Sequence, residues 1–550
     1  MSSRVSIFDI PLIMERIGFY LNQRDRSSCA LVNKTFYEHF LPLVWQHLVF
    51  TRPKPIEESE LTLEHKQAIL NYGRYVRRME IDTECRRSIS TLLSLSCYRL
   101  KELTLFINQD PEEASLSPMI QLMINNAWLR TLSFGSYASL TCKTLQQLSV
   151  ALLTSRHMTE LTLGFAFRPH SRWFRYLLQN LPPLLKKLYL QWGESREYDN
   201  TFDFSTISNN WPVTYCQLEE VELEIEIDDL ERPAFLQFLN RCTVLKDLVV
   251  PVMNPAQTLH EFIRLLEERS LPMLRTLDIR SLGDIDPSQW DRLCVAMNGR
   301  IQDFRTGIEF NSSITQHYIQ QLTIHWAETL TTLRIDEPSR ISSQDIQLIL
   351  TKCSKLKSFQ CLCPWLIMAF QQDVGGWDLA PGLGAMIRDD DQDGQKDIPD
   401  WVCLDLEELR LTFADERRIY SDTSLNASQE RWARRGIERV YYQLGRLTKL
   451  KELAIGWNSG KTFSTGVNLD MSLESGLGHL EGLSVLRMID FNFVPMIKVG
   501  LEEVVWMARY WPELKNIKGL RYRLDLGCRN QQEPDYIRWL RTNRPNIIIQ

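Results

Sequence analysis

A six-residue phrase, Leu-x-x-Leu-x-Leu, returns along most of this chain, and no other feature constrains the fold as much. It reads LKELTL from Leu100, LRTLSF from Leu129, MTELTL from Met158, LKKLYL from Leu185, LEEVEL from Leu218, LKDLVV from Leu245 and LRTLDI from Leu274. An earlier copy, VRRMEI, starts at Val76, and looser copies start at Ile301, Leu330 and Leu356. Over that stretch the spacings run from 24 to 33 residues. Further copies are read from Leu406, Leu450, Leu483 and Leu514. Alternation inside each phrase is the period of a strand with one buried face. Between phrases lie helical patterns, such as LHEFIRLLEERS from Leu259, YIQQLTIHWAETL from Tyr318 and DIQLILTKC from Asp345.

One strand and one helix cannot bury their own apolar faces, but stacked copies bury them as continuous ladders. The period is that of leucine-rich repeats. The expected fold class is therefore α/β: a leucine-rich repeat solenoid with a parallel sheet on its concave side and helices on its convex side. The rhythm breaks after Cys363, with steps of 50 residues to Leu406 and 44 to Leu450. Residues 371–400 are rich in Gly, Pro and Asp and predict a surface insertion. An extra amphipathic helix is expected over about 426–447. The solenoid should span 75–550, behind a small all-α module at 1–50 and a linker with a first helix at 51–74. The linker stretch TRPKPIEESE is polar with two prolines, which predicts a tethered module.

Composition narrows the function classes. Net charge is −6, whereas bulk nucleic-acid binding needs a basic surface, so no nucleic-acid partner is expected. No run of about 18 apolar residues is present, so no membrane span is expected. Asp9, Glu15 and Arg16 interrupt the first apolar stretch, unlike a secretory signal. Twelve cysteines without framework spacing imply a reducing compartment, cytoplasmic and/or nuclear, where the sequons at Asn33, Asn311 and Asn426 carry no sugar. The close pair Cys361 and Cys363 lacks the further ligands of a zinc site, so no metal or cofactor is expected.

Several stretches invite chemistry. Asp389, Asp391, Asp393 and Gly394 fit the start of a calcium loop, with Asp400 at its twelfth position. That position normally holds Glu, and Pro399 disrupts an exit helix, so an acidic surface loop is the better reading. Gly460-Lys461-Thr462 resembles the end of a phosphate loop, but Ile455 stands where its first glycine belongs. Arg431, Arg434, Arg435 and Arg439 share a helix face, which reads as a solvated face before it reads as a phosphate site. In LEEVELEIEID, alternation buries Val221 and Leu223 and sends Glu220, Glu222, Glu224 and Glu226 to the concave face. Glu160, Asp247, Asp278 and Asp303 on flanking strands extend that stripe, and Arg280, Arg305 and Arg334 on neighbouring strands are expected to offset part of it. Like charges along one strand are costly unless screened or met by a partner, so the stripe is a candidate site for a basic segment of a protein substrate, or else simply keeps the sheet soluble. The nine histidines form no nucleophile or metal motif, which favours a binding protein over an enzyme.

The first fifty residues are apolar beyond the needs of one internal face. Ile10, Ile13, Met14, Ile17 and Leu21 fall at helical spacing, and Pro11 suits a first helical turn. Cys29, Val32, Phe36 and Phe40 repeat the pattern, and Trp45 ends it. So short a segment cannot hold a core alone and must dock, either on the first repeat as a solenoid cap or on another protein. Its Ile10-Pro11, Ile13, Ile17, Leu21, Asp25, Leu31-Val32-Asn33-Lys34, Phe36 and Trp45 resemble the pattern of an F-box. With NYGRYVRRMEI, DWVCLDLEELRL, YYQLGRLTKLKEL, GLEEVVWMARYWPELKNIKGL and WLRTNRPNI, most of the chain resembles fungal F-box and leucine-rich repeat proteins.

The resemblance implies a three-helix module that docks on the SKP-family adaptor of a cullin-RING ubiquitin ligase. The repeats would hold a protein substrate, and the chain itself would do no catalysis. Adaptor contacts would come from Ile10, Pro11, Ile13, Ile17, Leu21, Leu31, Val32 and Trp45. One departure stands out: Arg26 occupies a place where the family carries leucine. The alternative is a repeat scaffold outside any ligase.

Overall fold

The computed structural model describes residues 11–50, 63–82, 93–94, 96–107, 113–137, 140–168, 171–193, 215, 217–225, 227, 230–252, 256–281, 285–307, 312–336, 341, 343–362, 400–411, 414–415, 438–455, 467–468, 471–491, 499–520 and 533–549. The chain divides into two compact units, one of residues 1–248 with 270–272, the other of residues 249–269 and 273–550.

The first unit opens with three helices, α1 (Pro11–Tyr20), α2 (Gln23–Ala30) and α3 (Lys34–Val44). Pro11 is the first helical residue, where a missing N–H costs nothing. Asn22 and Asn33 cap the next two helices, their side chains accepting from the Asp25 and Phe36 amides at 2.9 Å. Met14, Ala30 and Phe40 form a small core, with Leu21, Cys29, Phe36 and Leu43 packed against it. Gly18 allows α1 to approach α3, since a Cβ there would lie 2.2 Å from Leu43 Cδ1 and 3.2 Å from Phe40 Cε1. The Asn33 cap also corrects one expectation. It ends the helical spacing read through Cys29, Val32, Phe36 and Phe40, leaving Leu31 and Val32 in the turn between α2 and α3.

Strands β1 (His47–Phe50), β2 (Arg78–Asp82), β3 (Glu102–Ile107), β4 (Thr131–Ser136), β5 (Glu160–Phe165), β6 (Lys187–Trp192) and β7 (Glu220–Glu224) follow, each parallel to the one before. Strand β8 (Asp247–Val252) starts in this unit. The register stacks Met79, Leu103, Leu132, Leu161, Leu188 and Val221 into one buried ladder. Just before each strand, one carbonyl accepts two amides from the next repeat. Gln46 serves Arg77 and Arg78, Arg77 serves Lys101 and Glu102, and Lys101 serves Arg130 and Thr131. These bonds lock adjacent repeats at the turn, before the strand ladder begins.

Strand β1 revises the expected module of 1–50. Residues 47–50 belong to the sheet, so WQHLVF is itself a repeat phrase with Trp45 in the leucine place. The helices before it therefore run into the first repeat through a strand, not only through a tether. The linker stretch 51–60 lies outside the described residues.

The second unit repeats the scheme. Strands β9 (Thr276–Ser281), β10 (Asp303–Thr306), β11 (Thr332–Asp336), β12 (Ser358–Leu362) and β13 (Glu408–Leu411) pair in parallel and in order. Glu452–Ile455, Met488–Asp490, Asn516–Lys518 and Ile548–Ile549 extend the series. Because β12 pairs directly with β13, the long step between their phrases leaves the ladder unbroken. The phrase read from Leu483 starts instead at Leu486, two residues before its strand; two leucines three apart fit the pattern equally, and the sheet selects the second. The strand Ile548–Ile549 was not expected. Of the extra helix at 426–447, residues 438–445 are described and are helical, and the insertion at 371–400 is described only at Asp400.

Indoles tie the repeats together. Buried Trp173, Trp290, Trp326, Trp401 and Trp511 donate to Ser149 Oγ, the Tyr318 and Cys294 carbonyls, Gln347 Oε1 and the Leu480 carbonyl at 2.9–3.1 Å. Each bond joins one repeat to a neighbouring one, so the largest core side chains are also satisfied polar ones. Burial pushes the Cys97, Cys353 and Cys403 thiols up to about 12, as expected of inert core cysteines. Arg168 and Glu231 form a buried ion pair in the first unit. Among the described residues, no helix is long and apolar enough to cross a membrane.

Candidate protein-binding surfaces

The helical module presents apolar side chains that its small core does not use. Leu31 is 85% and Val32 63% exposed, both in the short turn between α2 and α3. Ile13 and Ile17, one helical turn apart on α1, are each 37% exposed. Four of the residues singled out for adaptor contact thus face solvent. Two do not. Leu21 packs on the Met14–Phe40 core, and Trp45 is half-buried with its ring 5.2 Å from Tyr72. Pro11 is placed by its backbone, and Ile10 lies outside the described residues.

Arg26 has a local purpose. Its guanidinium donates to the Gly18 carbonyl at 2.7 Å and the Phe19 carbonyl at 3.2 Å, satisfying the open C-terminal end of α1. A cation there also complements the helix dipole. The position that would carry an apolar side chain instead staples α2 to α1.

The acidic stripe alternates as the sequence suggested, with half-buried Glu220, Glu222 and Glu224 interleaved with buried Val221 and Leu223. It is not free charge. Lys187 reaches Glu220 at 2.8 Å, and the Tyr189 hydroxyl donates to Glu224 at 2.8 Å. The Lys187 ammonium is raised above its ordinary pKa by its bond to Glu220, with Glu160 and half-buried Asp247 adding to the effect. Asp278, in the second unit, is 6% exposed and pairs with Arg305 at 3.4 Å, so it is corrected from surface ligand to buried ion-pair member. The Arg305 charge on the next strand offsets part of the cost of that burial. Glu226 lies outside the described residues.

The other candidates resolve in part. Asp400 does not point to a calcium loop: Arg439 and Arg446 hold its carboxylate at 2.6 and 2.9 Å. Its pKa is lowered by a bond from Gln443, and also by both guanidiniums. Asp389, Asp391, Asp393, Gly394, Lys461 and the arginines before Arg439 lie outside the described residues. Among the described residues, no group of three His, Cys, Asp or Glu side chains is placed to hold a metal. Sequence reading passed over the residues on either side of each anchor leucine, where the first unit carries exposed Trp128 and Tyr98 among arginines. Their signal was the recurrence of Arg, Lys, Tyr and Trp beside the anchor in successive phrases.

No protein-family model matches this chain, and no curated protein does. Among solved structures, it is similar to the leucine-rich repeat-containing protein LegL7 from Legionella pneumophila. That match has 10% identity and a TM-score of 0.32, and covers 58% of this chain and 90% of that one. It is also similar to a structure of the Rad7 and Elc1 complex in yeast, with 11% identity and a TM-score of 0.36, over 100% of this chain and 98% of that one.

Proposed function

We propose that this chain is a substrate-receptor subunit of an SKP–cullin–F-box ubiquitin ligase, working in the cytoplasm or nucleus. The observation that supports it most is the exposed row Leu31 and Val32 with half-exposed Ile13 and Ile17, on a capped three-helix module whose sequence resembles an F-box. Apolar groups of this size gathered on one small module mark an interaction site more often than chance exposure does. On this reading the adaptor covers those residues, and through it the chain joins a cullin. The repeats hold a protein substrate near the ubiquitin-charged enzyme. The chain contributes proximity and no covalent chemistry.

A second reading has its own observation. Trp45 stands in the anchor place of the first repeat, β1 pairs with β2, and the Tyr37 and Tyr72 hydroxyls meet at 3.0 Å, so the helices also cap the repeats. Capping and adaptor binding use different faces, and only an adaptor experiment separates a receptor from a scaffold. Because β1 needs β2, the experiment uses the full chain. Purified SKP-family adaptor should be captured by the wild type, and Leu31→Asp with Val32→Asp should abolish capture, since both side chains are exposed and their change leaves the Met14–Phe40 core intact. A folded wild-type chain that captures no adaptor overturns the receptor reading and leaves a repeat scaffold.

A further inference from the structure

Each repeat enters its strand through a turn whose buried anchor stands two residues before the strand: Val76, Leu100, Leu129 and Met158 in β2 to β5. The parallel register aligns the first residues of these strands, Arg78, Glu102, Thr131 and Glu160, so the turns before them stack along one edge of the sheet. The residues beside the anchors bring Arg74, Arg77, Arg99, Lys101, Arg130 and Arg156 to that edge. Among the described residues, none of these six cations has a carboxylate partner. Arg74 donates to the Tyr75 hydroxyl at 2.9 Å, and Arg77 to the backbone carbonyls of Arg74, Val76 and Arg99. Burial and the nearby Arg99 charge lower the Arg77 pKa, so these like charges stand against one another. The same edge exposes Trp128 by 68% and Tyr98 by 49%.

Turns elsewhere treat their cations variously. Lys246 pairs with Glu219 at 2.5 Å in the first unit, and in the second Lys449 pairs with Asp405 at 2.5 Å and Lys451 with Glu407, while Arg275, Lys355, Lys357, Arg487 and Lys515 have no carboxylate partner among the described residues. What sets the stretch from Arg74 to His157 apart is the run of such cations over successive turns beside exposed Trp128 and Tyr98.

We infer that the turn edge of the first unit, from Arg74 to His157, binds an acidic, extended segment of a partner protein. Arginine beside exposed Trp and Tyr is the composition of interface hot spots, and the charge is complementary to Asp and Glu side chains. The aromatic faces argue against nucleic acid. Trp128 is stacked on His157 at 4.2 Å and 14°, Arg74 lies over Tyr75 at 4.9 Å, and Arg99 lies over Tyr98 at 5.9 Å. One face of each ring is taken by that neighbour, which leaves fewer faces on which successive bases could stack. The inference rests on the receptor reading only in taking the bound segment to be a substrate's.

The test uses the full chain and a fluorescent peptide of about eight Asp and Glu residues, long enough to span three repeat steps of ~4.8 Å each. Anisotropy should report binding that weakens as salt rises. Arg99→Glu with Arg130→Glu should weaken it by about tenfold or more, and Trp128→Ala by several-fold. Arg99→Ala with Arg130→Ala serves if the charge reversal unfolds the chain. Lys449→Ala with Lys451→Ala, on the second unit's edge, should change nothing. Absent binding, binding indifferent to Arg99 and Arg130, or tighter binding of a single-stranded oligonucleotide than of the peptide overturns the inference. Adaptor capture by the same variants separates the two readings. Lost peptide binding with retained capture isolates the edge, and retained peptide binding without capture sinks the receptor reading alone.

Discussion

The two units share a repeat, a register and a turn geometry, yet they distribute their ion pairs differently. On the open strand face of the second unit, Arg305 bridges Asp278 and Asp336, Arg334 also meets Asp336, and Arg410 bridges Glu408 and Glu452. Two cations of its turn edge are paired as well, Lys449 with Asp405 and Lys451 with Glu407. The first unit pairs Arg78 with Glu80 and Glu102, and Lys187 with Glu220. On its turn edge Lys246 pairs with Glu219, but Arg74, Arg77, Arg99, Lys101, Arg130 and Arg156 have no carboxylate partner among the described residues. Because one scaffold supports both arrangements, the difference is a property of side-chain choice. It gathers a run of available cations on the successive turns that follow the helical module.

The largest expected effect tests whether the first unit nevertheless depends on a buried charge pair. Glu231→Ala leaves Arg168 buried and should destabilise the first unit by ~3–5 kcal/mol in urea unfolding. A smaller loss, ~1–3 kcal/mol, is expected for Arg305→Ala in the second unit, where buried Asp278 loses its charged partner while Arg305 itself is partly solvated. If Arg305→Ala proves the more damaging, the second unit's network is the tighter of the two.

Acid should find the second unit's pairs. Asp400 has a folded-state pKa below its unfolded value, held there by Gln443 and the Arg446 and Arg439 charges. Its contribution is therefore complete above the unfolded carboxylate value of about 4 and is lost as pH falls below that value. Hydrogen exchange along 400–411 should accelerate over that range, and Asp400→Asn should remove the pH dependence.

The smallest effects bear most directly on the comparison. Lys451→Ala should cost a little stability, and Arg130→Ala should cost none or add slightly by relieving repulsion, both within ~1 kcal/mol. Equal losses would mean that the first unit's edge is already compensated.

The strand phrases were legible because their information is local. A period of two inside each phrase and a spacing near 27 residues between phrases leave one way to bury Leu103, Leu132 and Leu161 together. Where two leucines fit the same pattern, as at Leu483 and Leu486, only the pairing with the neighbouring strand chose between them. Trp45 was read as the end of the helical module because a Trp does not look like a repeat leucine. Its place as a repeat anchor follows from β1 lying beside β2. Leu31 and Val32 were recognised as surface residues only through resemblance, and the Asn33 cap supplies the local reason they leave the helix.

By itself, then, the sequence determined the α/β repeat, the order and facing of most strands, and an apolar helical segment ahead of them, because each depends on residues a few positions apart. Tertiary structure decided which charges remain available. Glu220 meets Lys187 from the preceding strand, Asp278 meets Arg305 from the following one, and Asp400 meets Arg439 and Arg446 about forty residues later. Arg26 turned from a missing apolar anchor into the cap of α1 for the same reason: the carbonyls it satisfies belong to a helix that only folding brings beside it.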